Sequence, residues 1–336
     1  MKEAYLYEKL GKGRVRCFLC NHRCLIKDGS RGICGVRENS RGTLTTLVYD
    51  KIIARHVDPI EKKPLFHFLP GSRSYSIATV GCNFRCRFCQ NADISQMPAD
   101  HGRIRGEEMT PSMIVSEAKA SGSSTIAYTY TEPTIYYEIA VDTARLAVSN
   151  GIRNIFVSNG YMTEECLQDI SPDLHGANVD LKAYSDNFYM EQCGAKLEPV
   201  LKTIEKMREM GVWLEVTTLL IPGLNDSEEE LREIARFLVE QDPNIPWHIS
   251  RFHPTYNLTN VHATSPEIIH KAKEIGHNAG LRYVYTGNLP GDKGEKTFCH
   301  GCGELVIDRV SFSVRSNIIK DKHCPSCDTA IPGVWE

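Results

Sequence analysis

Three cysteines stand within one short run, Gly81-Cys82-Asn83-Phe84-Arg85-Cys86-Arg87-Phe88-Cys89-Gln90. A gap of three residues and then of two lets one tight loop present three thiolates to three corners of a cubane iron-sulfur cluster, with no fourth cysteine nearby for the remaining iron. An iron without a protein ligand is open to a small chelating molecule. The competing readings are a zinc knuckle and three incidental thiols, but zinc sites favour paired CxxC arms and four ligands. Such arms occur elsewhere. Cys299-His-Gly-Cys302 and Cys324-Pro-Ser-Cys327, with strand-like Glu304 to Val314 between them, predict a zinc ribbon, and iron in a rubredoxin-like site shares that spacing. His300 and His323 read as neighbours of that ion, because four thiolates already satisfy it. Nearer the N-terminus, Cys17, Cys20, Cys24 and Cys34 can close another tetrahedral site. Its second pair is wider and less regular, so zinc is the first reading, an auxiliary iron-sulfur cluster the second and a metal-free group the third. His22 beside it reads as an outer-layer or surface residue. Cys166 and Cys193 read as buried small apolar side chains.

These ligands need elements to position them. The β-rich run Tyr75 to Val80 places the three-cysteine loop at a strand's C-terminal end. Beyond it, strand-like and helix-like runs alternate as in a parallel α/β fold. Thr110-Pro111 and Pro133 open helices, Ser227 with Glu230 forms a capping box, and Ser265-Pro266 starts a last helix. Counting from Tyr75 gives six strands and a short terminal candidate, Leu281 to Thr286, fewer than the eight of a closed TIM barrel. The predicted fold is therefore α/β, a partial (β/α)6-type TIM barrel over residues 71–290. A Cys-rich N-terminal metal-binding module (1–70) precedes it and a zinc-ribbon-like module (296–336) follows. Thr43 to Val57 alternates like a small hairpin, and the Pro- and Gly-punctuated run from Asp58 to Gly71 reads as the connection between modules, with His56 and His67 structural. In a barrel, reactive groups belong at the C-terminal ends of strands. Glu132, Ser158, Asn159, Asp180, Lys182 and His253 all fall there, whereas His248 reads as structural.

At 336 residues the chain can bury a full core. It has no apolar run long enough to cross a bilayer, and Met1 to Leu10 is charged where a secretory signal would be apolar, so a cytoplasmic address without membrane attachment is expected. Thirteen cysteines, eleven of them in three ligand-like clusters, point to metal in a reducing compartment rather than to disulfides. Residues 1–60 hold twelve Lys and Arg against six Asp and Glu, so that segment is net +6 and the remainder net −9. A basic face can meet nucleic acid, an acidic protein or only solvent.

The loop with Cys82, Cys86 and Cys89, and an aromatic, Phe88, before the last cysteine, resembles the CxxxCxxC signature of the radical SAM superfamily. The resemblance implies a [4Fe-4S] cluster whose open iron is chelated by the amino and carboxylate groups of S-adenosylmethionine (SAM). An electron from the cluster then releases a 5′-deoxyadenosyl radical, while the protein binds, orients and shields. It places Phe88 near the adenine. Residues 75–290 are similar to pyruvate formate-lyase activating enzymes. From these Glu132 carries over as a ligand of the SAM amino group, with Tyr130 and Thr131 where the activases have glycines. Ser158-Asn159-Gly160 stands for their Thr-Asn-Gly, with Val157 in place of an acidic residue. Asp180-Leu-Lys182 lies beside the methionine and ribose, Leu219 to Gly223 is an apolar wall, and His253 approaches the nucleoside.

Over its whole length, through Cys17 to Cys24, Cys34 to Arg37, Glu61 to Pro64, Thr129 to Pro133 and the terminal CxxC pairs, the chain resembles the radical SAM member of the AmmeMemoRadiSam system. That resemblance implies Memo-type and AMMECR-type partners and an electron donor such as ferredoxin or flavodoxin. The substrate classes are a protein, as for a glycyl-radical-enzyme activase, an RNA or a small molecule. The competing class is a non-catalytic metal-binding adaptor. Retention of the three cysteines with Glu132, Asp180 and Lys182 argues against it.

Overall fold

A computed structural model describes residues 2–336. Its centre is one eight-stranded sheet in chain order, built from β1 (Ala54–Pro59), β2 (Arg73–Ala78), β3 (Thr125–Tyr128), β4 (Arg153–Ser158), β5 (Gly176–Asp180), β6 (Trp213–Leu220), β7 (Trp247–Arg251) and β8 (Val284–Gly287). β2 to β8 are parallel and β1 is an antiparallel edge strand on β2. The first and last strands do not pair, so the sheet is open, and the terminal candidate is a true seventh parallel strand. The mixed α/β class agrees with the sequence, while the six-strand count falls short because Val284–Gly287 is too brief to carry a clear period.

The helices between strands are α1 (Pro111–Ala120), α2 (Tyr137–Ser149), α3 (Glu164–Ile170), α4 (Glu198–Glu209), α5 (Glu228–Gln241) and α6 (Pro266–Ala279). Thr110, Thr163 and Ser227 cap α1, α3 and α5 by accepting from the amides of Met113, Cys166 and Glu230. The expected capping box is only half formed, because the Glu230 carboxylate accepts from the amide of Tyr184 instead. Alternate residues of the strands face the helices, as in Ile77, Tyr128, Phe156, Val179, Val216 and Ile249, all fully buried.

The other face of the sheet carries Ser74, Ser76, Ala127, Ile155, Asn178, Glu215 and His248 and is covered by the run that follows β1. The stretch from Asp58 to Gly71, the connection of the sequence reading, is packed on the sheet: Ile60, Leu65 and Phe68 lie on Ala127 and Ile155 while Phe66 joins Tyr283 and Tyr285. Glu215 receives the amides of Phe66 at 2.9 Å and His67 at 2.7 Å, and Asn178 donates to the carbonyl of Pro64 at 2.7 Å. These bonds satisfy backbone groups that burial would otherwise leave orphaned. The expected hairpin is also divided. Thr43–Thr46 pairs with Arg37–Ser40 and Lys2–Glu3, whereas Ala54–Pro59 belongs to the main sheet.

Two further three-stranded antiparallel units flank the sheet. One joins Tyr7–Lys9, Val15–Cys17 and Leu25–Ile26, and the other joins Thr297–Phe298, Leu305–Val310 and Ser313–Asn317. The C-terminal tail returns to the sheet, where Leu69 donates to Val334 and Val334 to His67, both at 2.7 Å.

Candidate active site and metal centres

The loop after β2 brings Cys82, Cys86 and Cys89 to the C-terminal ends of the parallel strands. It is held from below by the turn Tyr189–Cys193, whose carbonyls at Cys193 and Gln192 accept from the amides of Arg85 at 2.8 Å and Arg87 at 3.0 Å. Further donors reach the sulfurs, with the Phe84 amide 3.3 Å from Cys82 and the Ser95 hydroxyl 3.2 Å from Cys89. Cys193 is fully buried and its thiol faces Cys86. The other unassigned cysteine, Cys166, is fully buried in the core as expected.

Thiol spacing separates the metal sites. A single tetrahedral zinc with bonds of about 2.3 Å holds its sulfurs about 3.8 Å apart. The C-terminal four meet that requirement: Cys299 lies 3.6 Å from Cys327 and Cys302 lies 3.8 Å from Cys324. Among the described residues this is the one group of three or more ligand atoms mutually within 4.8 Å. The set fits one tetrahedral ion. His300 instead bonds Tyr283, and His323 bonds the carbonyl of Asp321. Cys82, Cys86 and Cys89 are more widely spread, which suits a cubane, where each thiolate binds a different iron.

Glu132, at the end of β3, is 2% exposed. Its Oε1 accepts from the Thr134 amide at 3.1 Å, the Thr134 hydroxyl at 2.5 Å and Ser158 at 2.8 Å, while Oε2 accepts from the Asn159 amide at 2.8 Å. Burial raises its pKa against these donors. The carboxylate therefore caps the turn Pro133–Tyr136 and ties the ends of β3 and β4 together, with lone-pair room for another donor at Oε2. Ser158 is occupied on both sides, donating to Glu132 and accepting from Gly160 at 3.0 Å. Asn159 reaches the cysteine loop, with Nδ2 2.7 Å from Asn83 Oδ1 and 3.8 Å from Cys82 Sγ.

Across the site, Lys182 pairs with Asp180 at 2.9 Å and lies 5.8 Å from the centre of the buried Phe88 ring. Burial opposes the lysine's charge, but Asp180, Cys86 and Cys193 outweigh it and hold its pKa well above the usual value. Asn225 fixes the neighbouring strand ends by donating to the carbonyls of Lys182 at 2.6 Å and Leu219 at 2.9 Å. His253 is exposed on the loop after β7. His248, read as structural, is buried and bonded to Glu215 at 2.6 Å.

The contact that joins Tyr130, Asp58 and Lys63 escapes the sequence reading. Tyr130, where the activases carry a glycine, has φ 61°, the left-handed backbone that glycine adopts freely and a tyrosine rarely does. Its carbonyl accepts from Asn91 at 2.8 Å, its hydroxyl donates to Asp58, and the Lys63 ammonium sits 4.5 Å over its ring. Lys63 is buried and bonded to Asp58 at 2.7 Å. Burial, only partly offset by Asp58, lowers the Lys63 pKa to about 8. The available signal was the charged triplet Glu61-Lys62-Lys63 held between Pro59 and Pro64.

The N-terminal module abuts the same loop. Cys17, Cys20, Cys24 and Cys34 line one pocket together with His22, Arg37 and Ile135. His22 is 2.8 Å from the carbonyl of Asn83, and Gly81 has φ 103° with no room for a side chain. A Cβ there would lie 2.7 Å from Val36 and 3.1 Å from the carbonyl of Cys34.

Residues 76–238 match the radical SAM superfamily. The chain is 44% identical over 334 residues, 98% of its length and 99% of the other, to an uncharacterized protein of Methanocaldococcus jannaschii, MJ0808. It is 22% identical to a pyruvate formate-lyase-activating enzyme of Staphylococcus epidermidis, over 66% of this chain and 92% of that one. Among solved structures it is similar to Streptococcus suis SuiB bound to S-adenosylmethionine (TM-score 0.52, 13% identity, 72% of this chain and 56% of that chain). It is also similar to a radical SAM methyltransferase from Sphaerobacter thermophilus (TM-score 0.51, 16% identity, 65% and 67%). At such identities these structures speak for the fold alone. Family membership implies a [4Fe-4S] cluster and SAM, for which the spread thiols of the loop after β2 are suited. This chain is an enzyme of the radical SAM superfamily, related to the activating enzymes.

Proposed function

We propose that Cys82, Cys86 and Cys89 hold the [4Fe-4S] cluster and that the strand ends around them bind SAM. When bound, the cluster supplies the electron that splits the sulfonium to a 5′-deoxyadenosyl radical, which takes a hydrogen atom from a substrate. The observation that carries this reading is the meeting of the three spread thiols with Asn159, Lys182 and Phe88 at one end of the parallel sheet. In it, Glu132 Oε2 accepts from the SAM ammonium while keeping Asn159 in place. The Asp180–Lys182 pair takes the ribose and carboxylate, and buried Phe88 walls off the adenine. His253 contacts the nucleoside, and Ser158 acts one step back, through Glu132.

The substrate side is the open edge of the sheet, which suits a protein, and relatedness to pyruvate formate-lyase-activating enzymes favours a glycyl-radical enzyme as that protein. A ferredoxin or flavodoxin serves as reductant, Memo-type and AMMECR-type proteins are further candidate partners, and zinc fills the C-terminal four-thiolate site. The cytoplasm is the compartment in which such a reductant and free thiols are found. Among the described residues no helix is long and apolar enough to cross a membrane.

The test is anaerobic reconstitution followed by measurement of 5′-deoxyadenosine. SAM-dependent release that Cys86→Ala abolishes supports the enzyme. Absence of release under a proven strong reductant returns the chain to the adaptor class.

A further inference from the structure

We infer that Cys17, Cys20, Cys24 and Cys34 hold a second iron-sulfur cluster, ligated entirely by this chain, which passes electrons to the cluster at Cys82, Cys86 and Cys89. Zinc was the first reading of their spacing. The geometry turns it, because the four cysteines line one pocket while no three of their sulfurs, among the described residues, close to within 4.8 Å of one another. A zinc site needs sulfurs about 3.8 Å apart, as the C-terminal four have. A cubane needs the wider spread that the loop after β2 also has.

The wall of the pocket suits a buried cluster. Leu19, Ile26, Ile33 and Ile135 line it beside the thiols. The amides of His22, Ile33 and Val36 are directed at Cys20, Cys24 and Cys34, the kind of donors that tune cluster potentials. Arg37, 1% exposed, donates to Cys17 Sγ at 3.0 Å and pairs on its other side with Glu138 of α2. A guanidinium with no solvent and one carboxylate partner is well matched to the net negative charge of a cluster bearing four thiolates.

The place of the pocket supplies the role. The Cys34 carbonyl is 3.1 Å from where a Gly81 Cβ would stand, and Gly81 adjoins Cys82. Adding one Cα to Cα step, the Cys82 backbone lies within roughly 10 Å of Cys34, a short path for tunnelling. His22 spans the same gap, lining the pocket while it bonds the Asn83 carbonyl at 2.8 Å. One electron from a low-potential one-electron carrier reduces the N-terminal cluster. That electron moves to the cluster after β2 and the first cluster returns to its oxidised state, with no bond made or broken.

The relay rests on the catalytic reading above, while the presence of the second cluster does not. Anaerobically reconstituted full-length protein is expected to hold iron and sulfide for two cubanes and one zinc per chain. A chain with one cubane and two zinc ions overturns the proposal. The triple variant C82A/C86A/C89A should retain half of the iron, with an electron paramagnetic resonance signal that SAM does not alter. Loss of all iron from a variant whose circular dichroism is unchanged counts against a second site. If that variant fails to fold, wild-type protein titrated with SAM gives the same answer, since one of two signals should shift and the other stay. C24A should lose half of the iron and slow reduction of the remaining cluster by flavodoxin but not by dithionite. Equal slowing or none overturns the relay. Two clusters without any 5′-deoxyadenosine would count against the catalytic reading alone.

Discussion

At the scale of single residues, Glu132 binds two strand ends as well as facing the site. Four donors converge on it from Thr134, Ser158 and Asn159, so Glu132→Gln must turn an amide NH2 toward at least one N–H or O–H. A buried polar group left unsatisfied costs about 1–3 kcal/mol. That loss should appear in denaturant unfolding, with weaker SAM binding by calorimetry as Asn159 relaxes from the cysteine loop. Tyr130 makes a complementary case. Tyr130→Phe keeps the backbone and loses the hydroxyl bond to Asp58, a change of about 1 kcal/mol. Tyr130→Gly removes the strain of a positive φ but also the ring under Lys63. It should unfold more easily than Tyr130→Phe, and the reverse order in urea melts would show that strain dominates there. The positions of Glu132, Asn159, Asp180 and Lys182 at strand ends were legible from the alternation of strands and helices. The Asp180–Lys182 pairing is local and was legible with them, whereas the bonds of Glu132 to Ser158 and Asn159 and of Asn159 to Asn83 join different strand ends and loops, a pairing that local pattern does not carry.

At the scale of elements, the seam between the N-terminal module and the loop after β2 turns on one glycine. Gly81→Ala places a methyl 2.7 Å from Val36 and 3.1 Å from the Cys34 carbonyl, on a backbone at φ 103°. Overpacking of a tight core contact costs about 1–3 kcal/mol, and the left-handed backbone adds about 1 kcal/mol or more. The expected result is a fall in unfolding free energy of a few kcal/mol, together with faster hydrogen exchange at the amides of Cys34 to Val36. Unchanged exchange there would mean that the two loops are not packed as described. The strands that carry clear periods, β2 to β7, were readable in the chain. The run over the sheet's inner face was not, since Ile60, Leu65, Phe66 and Phe68 follow neither a period of two nor one of 3.6 and are separated by charges. In the fold Glu61 and Lys63 are buried against Arg309 and Asp58, partners distant in sequence or reached by a turn.

At the scale of the whole molecule, the C-terminal unit is clamped to the sheet through His67, and that clamp is sensitive to acid. His67 is fully buried, with Nδ1 2.7 Å from the Pro332 carbonyl and Nε2 2.6 Å from the Tyr285 hydroxyl. Glu215, Arg309 and His248 are the ionisable groups around it. Burial, with Arg309 and His248 acting in the same direction, pushes its pKa down to about 4 against Glu215 and the Pro332 carbonyl. Unfolded, the ring titrates near its ordinary value of about 6.5. Below that pH the unfolded chain takes up a proton that the folded chain refuses. The stability tied to this ring is thus complete above about 6.5 and drains away as pH falls toward 4, amounting to roughly 3 kcal/mol. Glu215, whose pKa His248 and the Phe66 amide help to depress against burial, adds a loss of the same sign at lower pH. His67→Gln is neutral throughout, so it should be less stable than the native chain at pH 7 and show a flatter decline from pH 6.5 to 4. Any change at the C-terminal thiolates is common to both proteins and cancels in the difference of their slopes. Parallel slopes in guanidinium titrations across that window would show that His67 is not the group that loosens the tail.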